Sequence, residues 1–249
     1  AFMTITTEDT QQRVREAGYL YMTATRVGTL AVIGAFALLA VALGHTQLIG
    51  SDIDGNPLVA STPLSTAIFV LAFFGCGMKA GVMPLHVWLP SAHGNAPSHV
   101  SALMSGALIK MGIYTLLRIT SLFPTPEPWW GGTVLTFGLV SGVLGVAFAI
   151  GQHDLKRLLA YHSIENIGII CMGVGIALIG RATDRPMLVL LGMAGGLLHV
   201  WNHGLFKALL FLCAGSVLHA SGTREIDHLG GLAKRMRWTA LCFLIGAVA

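Results

Sequence analysis

The sequence predicts an all-α fold, a polytopic transmembrane helix bundle with discontinuous helices, on three observations. Of its 249 residues 54% are hydrophobic and 10% charged, with a mean hydropathy of +0.73, where soluble domains carry about 25% charged residues. Apolar runs of about 20 residues, the length needed to cross a hydrocarbon core, recur along the chain. Gly and Pro interrupt these runs beside ionisable residues, a composition that breaks membrane helices. The same balance excludes an ordinary soluble domain, a disordered chain, a coiled coil and a nucleic-acid binder, because the net charge is only +4 and the basic residues stand singly. Four cysteines, Cys76, Cys171, Cys213 and Cys242, lie in apolar runs without a CxxC pair, so neither a disulfide framework nor a zinc ribbon is indicated.

Six full spans are expected at 27–44, 64–83, 98–117, 131–151, 163–180 and 187–218. The last is long for one straight crossing, and its centre, HVWNHGLFK, predicts a helix interrupted near Gly204. A seventh run from about Arg237 is too short to span, so residues 1–249 are read as a single membrane domain, with a truncated seventh span, within a longer subunit. Ala1 to Gly18 lacks the pattern of a signal peptide. The loop 45–63 reads as a polar turn region. Basic residues set the orientation: Arg13, Arg15, Arg26, Lys156, Arg157, Arg224, Lys234, Arg235 and Arg237 fall on one side, against Arg118, Arg181 and Arg185 on the other. Nine against three places the N-terminal end in the cytoplasm, provided that 187–218 crosses once.

Ionisable residues inside the spans carry the functional information, since each costs several kcal/mol at depth unless it meets a partner or a wet cavity. Lys79 sits in FFGCGMKAGVMPLHVW, flanked by glycines and followed by Pro84. Lys110, in VSALMSGALIKMGIYTLLR, is too deep to snorkel from either end. His199, His203 and Lys207 recur at i, i+4 and i+8 along one helical face. Glu165, in AYHSIENIGII, stands at the expected entrance of its span beside His162. A lysine at depth holds or releases its proton according to its neighbours, and histidine does so near neutral pH.

Other readings of these residues stay open. A single buried lysine can be a structural ion pair. The HxxxH spacing could ligate zinc, although HVWNH lacks the glutamate of HExxH and no third ligand is evident. Glu165 could serve as a helix cap. His86, His93 and His99 read better as polar lining of a re-entrant segment than as a metal cluster, and Arg26, Lys156 and Arg157 as interfacial anchors.

GMKAGVMPLHVWLPSAHGNAPSHVSALMSGALIKMGIYTLLRI closely resembles the central segment of the antiporter-like subunits of respiratory complex I and its relatives. DLKRLLAYHSIENIGII and LLHVWNHGLFKALLFLCAGSVLHA resemble the next two signature stretches in the same order, so the resemblance runs from about Tyr19 to Met236. Glu165 and Asn166, with the loop GTREIDHLGGLAKRM, are more similar to the large membrane subunit of formate hydrogenlyase and other group 4 hydrogenases, of the hydrogenase-4 type.

The resemblance implies that Lys79 matches the lysine of a discontinuous helix, Lys110 the bridging lysine of the next, and His199, His203 and Lys207 the polar residues of a later interrupted helix. Together they would form a proton-translocation axis, with Glu165 linking it to a neighbouring subunit's path. The glutamate partner of Lys79 is expected before Ala1, since Glu8 and Glu16 are poor substitutes, and the axis's terminal lysine beyond Ala249. The implied function is a proton-translocating subunit of a redox-driven pump, of the group 4 hydrogenase/formate hydrogenlyase or the NADH dehydrogenase type, in a bacterial or archaeal cytoplasmic membrane. It would do no redox chemistry itself and hold no cofactor; iron–sulfur clusters and a nickel–iron centre or flavin would lie in partner subunits, with other membrane subunits and a peripheral redox arm as partners. The alternatives are a subunit of a multi-subunit sodium/proton antiporter, or a scaffold whose lysines are frozen ion pairs.

Overall fold

In a computed structural model of the protein, residues 5–6, 10–43 and 62–249 are described. The expected polar loop 45–63 and Glu8 lie largely or wholly outside them. The described residues form helices α1 (Gln12–Leu43), α2 (Thr62–Ala80), α3 (Trp88–Asn95), α4 (Ser98–Leu103), a π-helical turn (Met104–Leu108), α5 (Lys110–Ser121), α6 (Pro128–Ile150), α7 (Leu155–Ala182), α8 (Pro186–Ser221), α9 (Leu232–Arg235) and α10 (Arg237–Val248). Six stretches are long and apolar enough to cross a membrane, the third being α4, the π turn and α5 taken together. The all-α bundle with broken helices is therefore the observed fold, although α1 and α7 begin well before the starts expected from hydropathy.

Glycines let neighbouring helices of the bundle approach closely. On α6, Gly131, Gly138 and Gly145 recur every seven residues and face Gly175, Gly168 and Glu165 of the antiparallel α7. A Cβ on Gly168 would stand 2.5 Å from the Gly138 carbonyl oxygen and 2.6 Å from the Gly142 nitrogen, so the two backbones touch. Close backbone approach through small residues is how helices associate where lipid removes the hydrophobic drive. Gly75 does the same against Gly28 between α2 and α1, and Gly112 of α5 lies on the Cys76 carbonyl of α2.

The chain breaks after Lys79. Gly81, with φ of +77°, ends α2 in the left-handed conformation that only glycine adopts without strain. The groups freed by the break find partners: the Met83 N–H donates to Ser141 Oγ at 2.9 Å, and Trp88 Nε1–H donates to the Met78 carbonyl at 2.8 Å. At the far end of α3, Lys156 Nζ donates to the Ala96 carbonyl at 2.9 Å and Arg224 donates to that of Gly94. Cations at a helix C-terminus satisfy its last carbonyls. Lys156, expected as an interfacial anchor, is thus a buried clamp, 3% exposed, whereas Arg26 and Arg157 are exposed.

The helix α8 corrects a second expectation. It runs unbroken from Pro186 to Ser221, with no interruption at Gly204. Gly204 serves close approach instead: its missing Cβ would lie 3.2 Å from the Gly106 carbonyl oxygen, so α8 seats directly on the π turn. The break falls in the opposing segment. A single crossing by α8 gathers Arg13, Arg157 and Arg224 round one polar cavity at one end of the bundle, while Arg181 donates to the Thr120 and Phe123 carbonyls at the other. That is the grouping on which the orientation count depends.

Candidate functional site

Lys110 begins α5 at the end of the π turn. In an α-helix the Ile109 N–H would bond the Ser105 carbonyl, four residues back; here it bonds Met104 at 3.2 Å. The Ser105 carbonyl then accepts from Lys110 Nζ. The π turn therefore supplies a buried lysine with an acceptor that regular geometry would withhold, and such turns recur at functional sites.

From this point polar contacts continue towards α8. Ser105 Oγ and Ser163 Oγ are 2.8 Å apart, and Ser163 Oγ donates to the Leu159 carbonyl at 3.0 Å. Lys207 Nζ donates to that same carbonyl at 3.3 Å. Lys110 and Lys207, on different helices, are linked through two backbone oxygens, of Ser105 and of Leu159, and the paired hydroxyls of Ser105 and Ser163. Lys110 is 8% exposed, Lys207 2% and His203 0%. Both ring nitrogens of His203 are buried and without a partner among the described residues.

His199, one turn before His203, stacks nearly parallel to it with ring centroids 6.3 Å apart, and its Nε2–H donates to Asn166 Oδ1 at 2.8 Å. Asn166 in turn donates to the His162 carbonyl at 2.6 Å, which fixes the orientation of its amide. His162 Nδ1 lies 2.5 Å from Glu165 Oε2. Glu165 is not at a span mouth, as expected, but ten residues into α7, about 15 Å from its start, because α7 begins at Leu155 rather than near 163. It is neither an N-cap nor fully exposed; the cap of α7 is Asp154, whose carboxylate accepts from the Lys156 and Arg157 N–H groups. Replacing such a cap costs about 1 kcal/mol.

Lys79 stands in the last turn of α2, half-buried, and makes no ion pair among the described residues. It does not join the hydrogen-bonded chain. The helices nonetheless adjoin there: Gly112, two residues after Lys110, meets Ala80, the neighbour of Lys79. The structure thus brings Lys110, His203 and Lys207 together, sets His199 and Glu165 beside them, and leaves Lys79 at the broken end next door.

Four participants escape a reading that looks only for charges. Ser105, Ser163 and Asn166 are uncharged; the sole signal for them is polarity within otherwise apolar runs. His93 was grouped with His86 and His99, but they do not converge: His99 is exposed, while His93 is fully buried, stacked on Phe211 at 4.8 Å with both ring nitrogens unpartnered among the described residues. Phe211 is one turn beyond Lys207, so His93 lies beside the lysine and within electrostatic reach of it. Gly94, the next residue, lines the polar cavity of about 650 Å³ at the Asp154–Arg224 end. Among the described residues no group of three or more His, Cys, Asp or Glu is placed to hold a metal ion.

Comparison with known proteins agrees with this architecture. The family described as NADH:quinone oxidoreductase/Mrp antiporter, TM, matches residues 1–249. The chain is 44% identical over 236 residues to hydrogenase-4 component B of Escherichia coli (strain K12), covering 94% of this chain and 34% of that protein. It is 40% identical over 232 residues to formate hydrogenlyase subunit 3 of the same organism, covering 93% and 38%. It therefore spans little more than a third of these relatives' length. The structure of the Mrp complex from Dietzia sp. DQ12-45-1b contains a chain with the same fold, at a TM-score of 0.81 and 25% identity over 95% of this chain and 42% of that one. These relatives and neighbours are subunits of multi-subunit membrane complexes, and the resemblance read from the three long motifs is the one these comparisons show.

Proposed function

Because the chain belongs to the NADH:quinone oxidoreductase/Mrp antiporter membrane family, we propose that it carries protons within a redox-driven pump of the group 4 hydrogenase or formate hydrogenlyase type. The route runs through Lys79, Lys110, His203 and Lys207, with His199 and Glu165 at its margin. The observation that carries the proposal is the buried run of polar contacts between the two lysines: Lys110 on the Ser105 carbonyl, the Ser105 hydroxyl on that of Ser163, and Ser163 and Lys207 both on the Leu159 carbonyl.

Within that link the two hydroxyls suit proton movement, while the Ser105 and Leu159 carbonyls only accept and hold the lysines in place. A hydroxyl both donates and accepts, so the Ser105–Ser163 pair can pass a proton by rotating. The imidazoles of His203 and His93, buried without a partner among the described residues, are placed where ordered water would add donors and acceptors beside the lysines. Like charges repel more strongly away from water, so a proton on one buried lysine opposes one on the next. Movement of charge at Lys79 would then be felt at Lys110 across the Gly112–Ala80 contact, and passed towards Lys207. The polar cavity beside Gly94 gives the far end a wet mouth.

Redox chemistry would reside in partner subunits holding iron–sulfur clusters and a nickel–iron centre or flavin, in a peripheral arm attached to a bacterial or archaeal cytoplasmic membrane. The test is company. Full-length protein extracted in mild detergent through a tag should bring down a nickel–iron hydrogenase subunit and iron–sulfur proteins. The fold shared with the Mrp complex favours a second reading, a subunit of a sodium/proton antiporter. A metal-free, purely membranous set with sodium-dependent proton flux would establish that reading and overturn the redox-driven one.

A further inference from the structure

On α8, His199, His203 and Lys207 are followed at the same four-residue step by Phe211 and Gly215, each about one turn further along the helix. Neither of these two is polar, and α3 and α4 supply the polar groups beside them. His93 of α3 stacks on Phe211, with ring centroids 4.8 Å apart and planes within 17° of parallel. A Cβ on Gly215 would stand 2.6 Å from Ser98 Cβ at the start of α4. His93 therefore lies about one turn, roughly 5.4 Å, past the level of Lys207, towards the end of the bundle that carries Asp154 and Arg224.

His93 is 0% exposed, and both of its ring nitrogens are buried without a hydrogen-bond partner among the described residues. A phenyl ring would make the same stack without burying two polar atoms, so packing alone does not account for a histidine here. The charged groups that face it are cations: Lys207 and Lys110 on the axis, and Lys156, which holds the Ala96 carbonyl at 2.9 Å. On the other side, the neighbouring Gly94 lines the polar cavity of about 650 Å³, and its carbonyl accepts from Arg224, itself paired with Asp154 at 2.5 Å. Ser101 Oγ donates to the His93 carbonyl at 3.2 Å, so the backbone is held on both sides of the ring. The side chain between the cavity and the buried lysines is thus of the type that gains and loses a proton near neutral pH.

We propose that His93 is the proton carrier that joins this cavity to Lys207. The proposal rests on the proton-carrying function above and adds to it the residue at which protons cross between the cavity and the buried axis. In each passage a ring nitrogen takes a proton from water on the cavity side and the ring gives a proton up towards Lys207, or the reverse. The imidazole is neutral before and after, and no other group is consumed.

The experiment uses the full-length protein in its native complex, in inverted vesicles, with proton uptake followed by a pH-sensitive dye during electron-donor turnover. His93→Phe keeps the stack on Phe211, and His93→Gln keeps a donor and an acceptor for water, but neither side chain can hold a proton. Both should assemble with melting temperatures within a few degrees of wild type, and both should lose uptake roughly tenfold or more. Asn95→Cys, on the cavity wall, should lose uptake when alkylated by a membrane-impermeant thiol reagent from the face on which the cavity opens, relative to wild type treated alike. Near-normal uptake by either assembled His93 variant, failure of both to assemble, or unchanged uptake after complete alkylation of Asn95→Cys would each overturn the proposal. Lys110→Met separates this outcome from failure of the underlying function. If Lys110→Met is impaired while a His93 variant is normal, His93 alone leaves the route; if wild type takes up no protons, or Lys110→Met is normal, the proton-carrying function falls and this proposal with it.

Discussion

Two seams of this bundle use the same small residues to different ends. Along α6 and α7, glycines spaced by seven bring backbone to backbone. Between the π turn and α8, Gly106 and Gly204 also bring backbones together, but the flanking positions hold Lys110, His203 and Lys207. The first seam sets backbone against backbone at three glycines along its length. The second is held close at one glycine pair and carries buried serines and lysines beside it. Glycine thus fixes the frame in one place and, in the other, lets a polar path lie at the centre of an apolar bundle.

The largest effect is expected where the static seam is broken. Gly168→Leu forces side-chain atoms into the Gly138 carbonyl and Gly142 nitrogen, and overpacking of this kind costs about 3 kcal/mol or more. Detergent-solubilised variant should show little monodisperse protein by fluorescence-detected size exclusion, and normal yield would contradict the assignment of this seam to packing. Trp88→Phe comes next: it strips the Met78 carbonyl of its partner at the broken end of α2, worth about 1–3 kcal/mol for a buried acceptor. A lowered melting temperature should accompany it.

Smaller and more specific is Ser163→Ala. It removes the hydroxyl between Ser105 and the Leu159 carbonyl at a cost of about 1 kcal/mol, so folding should survive while proton flux through the complex falls severalfold. Unchanged flux would remove the serine pair from the path. Glu165→Gln keeps the shape of the His162 contact and discharges it. A change in coupling ratio without a change in yield is expected, and an identical ratio and pH profile would detach Glu165 from the axis. Arg157→Gln, on an exposed side chain, should alter stability by about 0.5 kcal/mol or less.

Much of this was legible in the residues. Hydropathy located the six helices long and apolar enough to cross a membrane among the described residues, and the rarity of lysine at depth singled out Lys79, Lys110 and Lys207, of which Lys110 and Lys207 are buried and Lys79 only half-buried. The i, i+4, i+8 spacing put His199, His203 and Lys207 on one face, as observed. The misreadings share a cause. The length of the last run and its centre HVWNHGLFK predict a break near Gly204, yet the effect of this glycine lies in what the missing Cβ admits, the carbonyl of Gly106 on another helix. Lys156 was assigned to the interface from its place in sequence, but the carbonyl it clamps, that of Ala96, is sixty residues away. The π turn has no composition of its own; it is visible only in the shifted partner of Ile109. Tertiary contacts decide these points, and a single sequence records them only faintly.

Proton movement through the second seam is the central claim, and Lys110→Met tests it most directly. Methionine fills much of the same space without charge, so the full-length variant in its complex should assemble, with a melting temperature within a few degrees of wild type. Proton uptake would be followed with a pH-sensitive dye in inverted vesicles during electron-donor turnover. The account predicts that uptake falls at least tenfold while the fold persists; near-normal uptake by a well-folded Lys110→Met protein would contradict it.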